Sequence, residues 1–269
     1  TLNNFASRIA LSTAVYQAGW VGAREIAGIR SVGIEKIGIS SVPPSFDYHN
    51  QEQVDEILAA CQNEGVSVVA MHGPFKLPYR NTEEIEQVIE ESLRALDFAI
   101  RAEARVYVAH FGNDDHAADV VHRLLDTTAN ETICLTSENQ VGQSLTPCVD
   151  LSDRVASPRF GMIVDIGHAR DTGGINPFTL PDVGPRWLAD CGSRLRHVHL
   201  HDSFDLLEKP DHRPRLHDDG LIQWDDVLAG LDDAGYTGDL VFEDGRGEDP
   251  KDWVNYVATF PQRYEEKYG

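Results

Sequence analysis

Histidine, aspartate and glutamate close a series of short apolar segments in this sequence, and these residues could carry out chemistry. In chain order the segments end at or near His72, His110, Glu138, Asp165, His199 and Glu243. The last four segments supply two glutamates, one aspartate and one histidine: Glu138, Asp165, His199 and Glu243. Such a mixed set of carboxylates and imidazole suits Mn²⁺, Mg²⁺, Co²⁺ or Zn²⁺, with positions left open for substrate oxygens. One residue of this kind is more often structural, but the joint pattern predicts a site for one divalent metal ion.

The elements that must hold these residues are predicted to be eight strand–helix units. The strand-like segments span 8–15, 35–40, 67–72, 105–111, 132–138, 160–166, 195–202 and 238–244, and helical periodicity lies between them, as at 51–64, 82–103, 224–234 and 253–264. Several strands are continuously apolar, as parallel strands buried on both faces are. Eight units in 269 residues predict a single (β/α)8 TIM barrel spanning residues 1–269. A doubly wound open sheet is disfavoured because no glycine-rich phosphate turn follows the first strand.

Alternation along the seventh strand refines this prediction. His197, His199 and His201 share one face of the strand because side chains repeat every second residue. His199 and His201 are then expected at increasing height in the barrel, with Asp202 at its rim. A carboxylate near a ligating histidine commonly orients it, so we expect His201 and Asp202 to support the metal ligands. His197, lower in the barrel, is predicted to be structural.

The composition limits the classes of partner. Asp and Glu outnumber Lys and Arg by 44 to 23, which gives a formal net charge of −21. Binding through phosphates rests on Lys and Arg, so a nucleic acid or an anionic membrane is an unlikely partner. The 26 Asp against 5 Lys favour a salt-rich cytoplasm slightly over GC-rich codon usage as the explanation. The oligomeric state stays open, a homo-oligomer included.

No feature predicts export or membrane insertion. The sequence has no apolar run of about 18 residues, and residues 1–10 lack the basic-then-apolar pattern of a signal peptide. The four cysteines are far apart, without a CxxC pair, so free thiols are expected. These features predict a cytoplasmic protein.

Seven short motifs together resemble the xylose isomerase-like TIM barrels, a family of sugar isomerases and epimerases, inosose-processing enzymes and endonuclease IV. They are MHGPF (71–75), VAHFG (108–112), SEN (137–139), VDIGH (164–168), HVHLHD (197–202), GLIQW (220–224) and GYTGDLVFE (235–243). The resemblance covers almost the full chain. It specifies the superfamily but not one reaction.

The resemblance implies roles for individual residues. Glu138, Asp165, His199 and Glu243 would be the metal ligands, with Mn²⁺ the favoured ion. The two glutamates would also act as an acid–base pair on opposite sides of a substrate carbon. Proton transfer through an enediolate would then isomerise or epimerise a sugar, keto-polyol or sugar phosphate. His168, with His72 and His110, would contact the substrate.

One departure from the family pattern limits the reaction. Ketose epimerases of this type usually carry an arginine six residues after the seventh-strand histidine, where this chain has Asp205. Arg213, Arg215 or Arg246 is a candidate replacement. Lys76, Arg80 and Arg170 also lie in loops on the expected active face, where they could receive a phosphate or carboxylate or simply be solvated.

Three alternatives remain. An endonuclease IV-like multi-zinc phosphodiesterase needs further ligands, for which His72, His110, His168 and the pair Asp211 and His212 (or His217) are candidates, but the loop sequence and the net charge oppose it. A dehydratase of keto-inositols or keto-sugars would use the same site. A catalytically idle barrel that binds a partner is opposed by the intact Glu138 and Glu243.

Overall fold

The computed structural model describes residues 5–17, 19–74, 81–112, 114–203, 220–243 and 249–268. Eight parallel strands form a closed barrel in sequence order, β1 to β8, with β8 paired to β1. The strands are β1 Ile9–Ser12, β2 Lys36–Ser40, β3 Ser67–His72, β4 Val106–Ala109, β5 Cys134–Glu138, β6 Phe160–Asp165, β7 Leu195–Leu200 and β8 Leu240–Phe242. The predicted (β/α)8 barrel is therefore confirmed.

Eight α-helices alternate with these strands. They are α1 Ala23–Ser31, α2 Gln51–Glu64, α3 Thr82–Arg101, α4 Asp115–Thr127, α5 Thr146–Val155, α6 Gly184–Cys191, α7 Trp224–Asp233 and α8 Pro250–Tyr268. Side-chain caps mark several starts: Asn50 accepts from the main-chain N–H of Gln53 in α2, and Asn81 caps α3 in the same way. Helix α2 ends at Gly65, which has a left-handed φ of 66°.

Several strands end earlier than the apolar pattern predicts. The first gives way after Ser12 to a short 3-10 helix, Thr13–Tyr16, whose start is capped by the Ser12 hydroxyl. Strand β4 ends at Ala109 and β7 at Leu200, so His110, His201 and Asp202 follow the strands instead of closing them. The apolar pattern follows burial, and His201 and Asp202 are as buried as strand residues, whereas His110 is partly exposed.

Two apolar clusters hold the barrel together. The larger one lies between the strands and the surrounding helices and contains Phe46, Phe98 and Trp253, all at most 1% exposed. The smaller one consists only of strand residues: Ala10, Val69, Ala70, Val106, Val108, Ile163 and Val241. Most of these lie two positions before a polar residue at the barrel mouth, as Ala70 does before His72 and Val241 before Glu243. Because the strand period is two, the members that precede a polar residue share the inward face with it and form the floor beneath the polar residues.

The four cysteines are free thiols, as expected, and three of them are buried. No helix in the described ranges combines the length and hydrophobicity needed to cross a bilayer.

Candidate metal centre at the barrel mouth

The carboxyl ends of β5 to β8 bring the four predicted ligands to one place, and the end of β3 adds His72, a predicted substrate contact. His72 and Glu138 close their strands, Asp165 closes β6 beside His199 of β7 in the pairing register, and Glu243 follows β8 directly. All five side chains are buried, with exposures of at most 6%. The barrel geometry that aligns strand ends at one face is what assembles residues so distant in sequence.

Glu138 lies at the centre of this cluster. Its Oε1 lies 2.9 Å from His199 Nδ1, and its Oε2 lies 2.9 Å from His72 Nε2. His110 Nε2 approaches the same Oε2 at 3.4 Å. His199 Nδ1 lies also 2.8 Å from Glu243 Oε2, so one imidazole stands between the two glutamates.

Asp165 has its own set of contacts within the cluster. Its Oδ1 accepts from the main-chain N–H of His168 at 2.9 Å and lies 2.7 Å from His201 Nε2. Its Oδ2 has no hydrogen-bond partner among the described residues. The His168 ring is near, with Nδ1 at 3.4 Å from Oδ2 and 3.1 Å from the carbonyl oxygen of Asn139.

Buried carboxylates and histidines lie side by side in the site, and each changes the pKa of its neighbours. Burial opposes ionisation of Glu138, but the charges of His199 and His110 hold the pKa of its carboxyl well below the usual range. Burial and the neighbouring His168 and His201 act on Asp165 in the same opposed way, and the net effect lowers its pKa to about 2.

The histidines shift in different directions according to their neighbours. Burial disfavours protonation of His199, but Glu243 and Glu138 outweigh it and raise its pKa well above the usual value. His110 has weaker contact with Glu138, so burial dominates and lowers its pKa to about 4. His197, the predicted structural residue, packs edge-on against the His199 ring at 5.4 Å, and burial lowers its pKa.

The donor set fits a divalent cation. Ligand atoms of Glu138, Asp165, His199 and Glu243 all lie within 4.8 Å of one another. Three carboxylates buried together repel one another unless positive charge is close, and Asp165 Oδ2 is an available ligand atom. Buried His, Glu and Asp groups at this site can therefore hold a metal ion.

Two further clusters of possible ligands adjoin this set. His72, His110 and Glu138 form one, and Asp165, His168 and His201 form the other, each again within 4.8 Å. Both share a carboxylate with the four-residue set. The histidines expected to contact substrate thus lie at the edge of the predicted metal site.

Asp202 lies elsewhere than expected. Its Oδ1 accepts from the main-chain N–H groups of Ser203 and Ile222 at 2.7 and 3.1 Å, and its Oδ2 accepts from Trp224 Nε1 at 3.0 Å. Only its main-chain oxygen contacts a histidine ring, that of His201 at 3.3 Å. The described contacts therefore make its carboxylate connect Ser203 with Ile222 and Trp224 instead of orienting a ligand.

The candidate arginines are placed only in part. Arg213, Arg215 and Arg246 lie outside the described residues, as do Lys76, Arg80, Asp211, His212 and His217. Arg170 is described and buried, and its Nη1 donates to the carbonyl oxygens of Gly167 and Ala169. Its guanidinium is thus engaged with the main chain of the β6 loop.

Two residues of the site were not singled out from the sequence. Asn139 uses its side-chain amide to exchange two hydrogen bonds with the main chain of Asp165, at 2.8 and 3.1 Å. Gly167 leaves room for the His201 ring, which a Cβ at position 167 would overlap. Both residues lie inside motifs that carry the resemblance, but their roles follow from three-dimensional contacts.

Comparison with known proteins gives the fold wider context. Residues 28–260 match the family model described as xylose isomerase-like TIM barrel. A comparison with curated proteins finds no match.

Solved structures with similar folds include three epimerases. The D-allulose 3-epimerase of Methylomonas sp. is 16% identical with a TM-score of 0.74, covering 95% of this chain and 97% of that chain. The D-psicose 3-epimerase of Clostridium cellulolyticum H10, solved with D-tagatose, is 14% identical with a TM-score of 0.70, covering 97% and 98%. The 3-keto-D-glucoside 4-epimerase of E. coli is 15% identical with a TM-score of 0.73, covering 95% and 99%. At these identities the likeness establishes a shared fold, and the family match over most of the sequence establishes that the chain belongs to the xylose isomerase-like TIM barrels.

Proposed function

We propose that this protein is a divalent-metal-dependent isomerase or epimerase that acts on a sugar, keto-polyol or sugar phosphate. The observation that carries the proposal is the convergence of Glu138, Asp165, His199 and Glu243, with ligand atoms within 4.8 Å of one another. The similar folds of three sugar epimerases support it. A cytoplasmic location and Mn²⁺ as the preferred ion are part of the proposal.

Glu138, Asp165, His199 and Glu243 would hold the ion, which would polarise the substrate carbonyl and acidify the adjacent C–H bond. Glu138 Oε1 and Glu243 Oε2 both contact His199 Nδ1, at 2.9 and 2.8 Å, so the two carboxylates lie together at the site. In the proposed reaction they act on one substrate carbon as an acid–base pair. One carboxylate would remove the proton next to the carbonyl. The other would return a proton to the opposite face, which epimerises the sugar, or to the neighbouring carbon, which isomerises it.

His168 and His110 would bind substrate hydroxyl groups. His110 keeps a pKa of about 4 and is therefore a neutral ring at physiological pH, able to donate one hydrogen bond and accept another. After removal of the proton next to the carbonyl, loss of a β-hydroxyl group instead of return of a proton would make the enzyme a dehydratase of keto-inositols or keto-sugars. Analysis of the reaction products separates isomerisation, epimerisation and dehydration.

Substitution of Glu243 by glutamine tests the proposal. The wild type, supplied with Mn²⁺, should turn over at least one member of a panel of ketoses, keto-inositols and sugar phosphates. Glu243→Gln should lose at least about 10³-fold in kcat, because the amide cannot carry the proton. Glu52→Gln, at an exposed site on α2, is the matched control and should keep full activity. Turnover by Glu243→Gln at the wild-type rate would contradict the two-carboxylate mechanism.

A second candidate function has one specific observation in its favour. His72, His110 and Glu138 could hold an additional ion beside the four-residue set, as a multi-zinc phosphodiesterase of the endonuclease IV type would require. Elemental analysis separates the candidates, since the isomerase should hold about one metal ion per chain and the nuclease two or three. Cleavage of DNA at an abasic site would support the nuclease, although the net charge of −21 opposes DNA binding.

A further inference from the structure

His201 is a fully buried histidine next to the metal-ligand set but outside it. It follows β7, is 0% exposed, and lies two residues beyond His199 on the inward face. Its Nε2 lies 2.7 Å from Asp165 Oδ1, and its Nδ1 lies 3.3 Å from the carbonyl oxygen of Asp202. Both ring nitrogens therefore face oxygen atoms, and neither faces the two glutamates.

The two carboxylate oxygens of Asp165 have different surroundings. Oδ1 accepts a hydrogen bond from the His168 main-chain N–H and lies in ion-pair contact with the His201 ring, whereas Oδ2 has no hydrogen-bond partner among the described residues. The main chain of Asp165 is fixed separately by the paired hydrogen bonds of Asn139. A carboxylate held in this way presents one oxygen to a cation without having to be ordered when the cation binds.

Gly167 supplies an independent observation on the same ring. A Cβ at position 167 would overlap Cε1, Nδ1 and Nε2 of His201. The backbone there is not in the left-handed region, so conformation alone does not demand glycine. The glycine serves the close approach of the imidazole to the β6 loop.

We infer that His201 is a positioning residue that orients Asp165 for metal binding, and that Gly167 makes room for it. The inference rests on the proposed metal site, and it assigns the ring a role through Asp165 instead of a direct bond to the ion. The Nε2 atom of His201 already lies in ion-pair contact with Oδ1, at 2.7 Å, and this contact favours the positioning role over ligation of a second ion by Asp165, His168 and His201.

Isothermal titration of the metal-free protein with Mn²⁺ tests the inference without an activity assay. His201→Leu removes the ring nitrogens and should weaken Mn²⁺ binding about 10- to 100-fold. His201→Gln can still offer an N–H to Oδ1 and should stay within about threefold of the wild type. Gly167→Ala should behave like His201→Leu, while Gly28→Ala, a helical glycine with open space around it, should bind as the wild type does.

The number of Mn²⁺ ions bound per chain separates a positioning residue from a ligand. The inference predicts unchanged stoichiometry, with saturation of the weakened variants at higher Mn²⁺. A His201→Leu protein that loses one of two bound ions would make His201 a ligand and overturn the inference. Wild-type affinity in both His201→Leu and Gly167→Ala would overturn it too, leaving the proposed function intact, and a wild type that binds no Mn²⁺ would overturn both. If His201→Leu does not fold, Gly167→Ala, compared with Gly28→Ala, decides alone.

Discussion

Replacing Trp224 by phenylalanine removes one of the three N–H groups that donate to the buried carboxylate of Asp202. The other two belong to the main chain of Ser203 and Ile222, so they stay in the variant. The phenyl ring can still pack against Phe242 and Phe260, which lie 6.3 and 5.6 Å from the indole. The substitution therefore isolates one hydrogen bond to a buried acid, together with a small loss of packing.

The magnitude depends on the charge of Asp202. Burial raises the pKa of Asp202 from 3.8 to about 6. Ionising this buried carboxyl therefore lowers the free energy of unfolding by about 3 kcal/mol, and the loss develops as the pH rises from about 4 to above 6. A hydrogen bond to a charged acceptor contributes about 1.5–3 kcal/mol, against about 1 kcal/mol for a neutral one. Losing the indole N–H should raise the pKa by about one further unit. The destabilisation by Trp224→Phe should then be about 1.4 kcal/mol larger at pH 8 than at pH 5, where Asp202 is mostly protonated in the folded protein.

Urea unfolding followed by circular dichroism at both pH values measures this difference. Trp253→Phe is the matched control, because that indole is 1% exposed and its Nε1 has no hydrogen-bond partner among the described residues. Its cost should be the same at pH 5 and pH 8. A loss of stability for Trp224→Phe that is the same at both pH values would show that Trp224 acts by packing alone and not through its hydrogen bond to ionised Asp202.

Three further predictions concern the whole chain. The thiols of the native protein should react slowly with Ellman's reagent at pH 8, and all four should react after unfolding. Burial raises the pKa of Cys61 and Cys134 to about 11 and of Cys148 and Cys191 to about 12, so few thiolates are present in the native protein. Fast reaction of a native thiol would contradict this prediction. Phe46→Ala should cost about 3–5 kcal/mol in chemical unfolding because the ring is fully buried 4.6 Å from Phe98, whereas Val141→Ala, at a 41% exposed site, should cost less than about 0.5 kcal/mol. The thermal unfolding temperature should be higher in about 3 M KCl than in about 0.1 M KCl, because salt screens the repulsion among the surplus carboxylates. An unfolding temperature that is equal at both concentrations would argue against a salt-rich cytoplasm as the explanation of the composition.

The barrel could be predicted from the sequence because its signals are local and repeated. Continuously apolar strands alternate with helical periodicity, and few folds accommodate eight such units in 269 residues. The four-ligand set follows once the barrel is assumed, since parallel strand ends meet at one face. Glu138 and Glu243 therefore meet at His199 although 105 residues separate them in sequence.

The contacts around the site could not be predicted in the same way. The Asp202 carboxylate accepts from Trp224 and two main-chain N–H groups instead of contacting a histidine ring, and these partners are 20 or more residues away along the chain except for Ser203. The pairing of Asn139 with the Asp165 main chain and the space that Gly167 leaves for His201 are likewise tertiary contacts without a periodic signal. The position of an arginine for the substrate stays a prediction, since Arg213, Arg215 and Arg246 lie outside the described residues.

Anomalous scattering from crystals grown with Mn²⁺ would locate the ion that we propose at the barrel mouth. A single-metal site should give one strong anomalous peak per chain, within about 2.3 Å of oxygen or nitrogen atoms of Glu138, Asp165, His199 and Glu243. His201 should remain in contact with Asp165 and outside the coordination sphere. A map without a peak at these four residues, or with its strongest peak at His72 and His110, would contradict the proposed single-metal site.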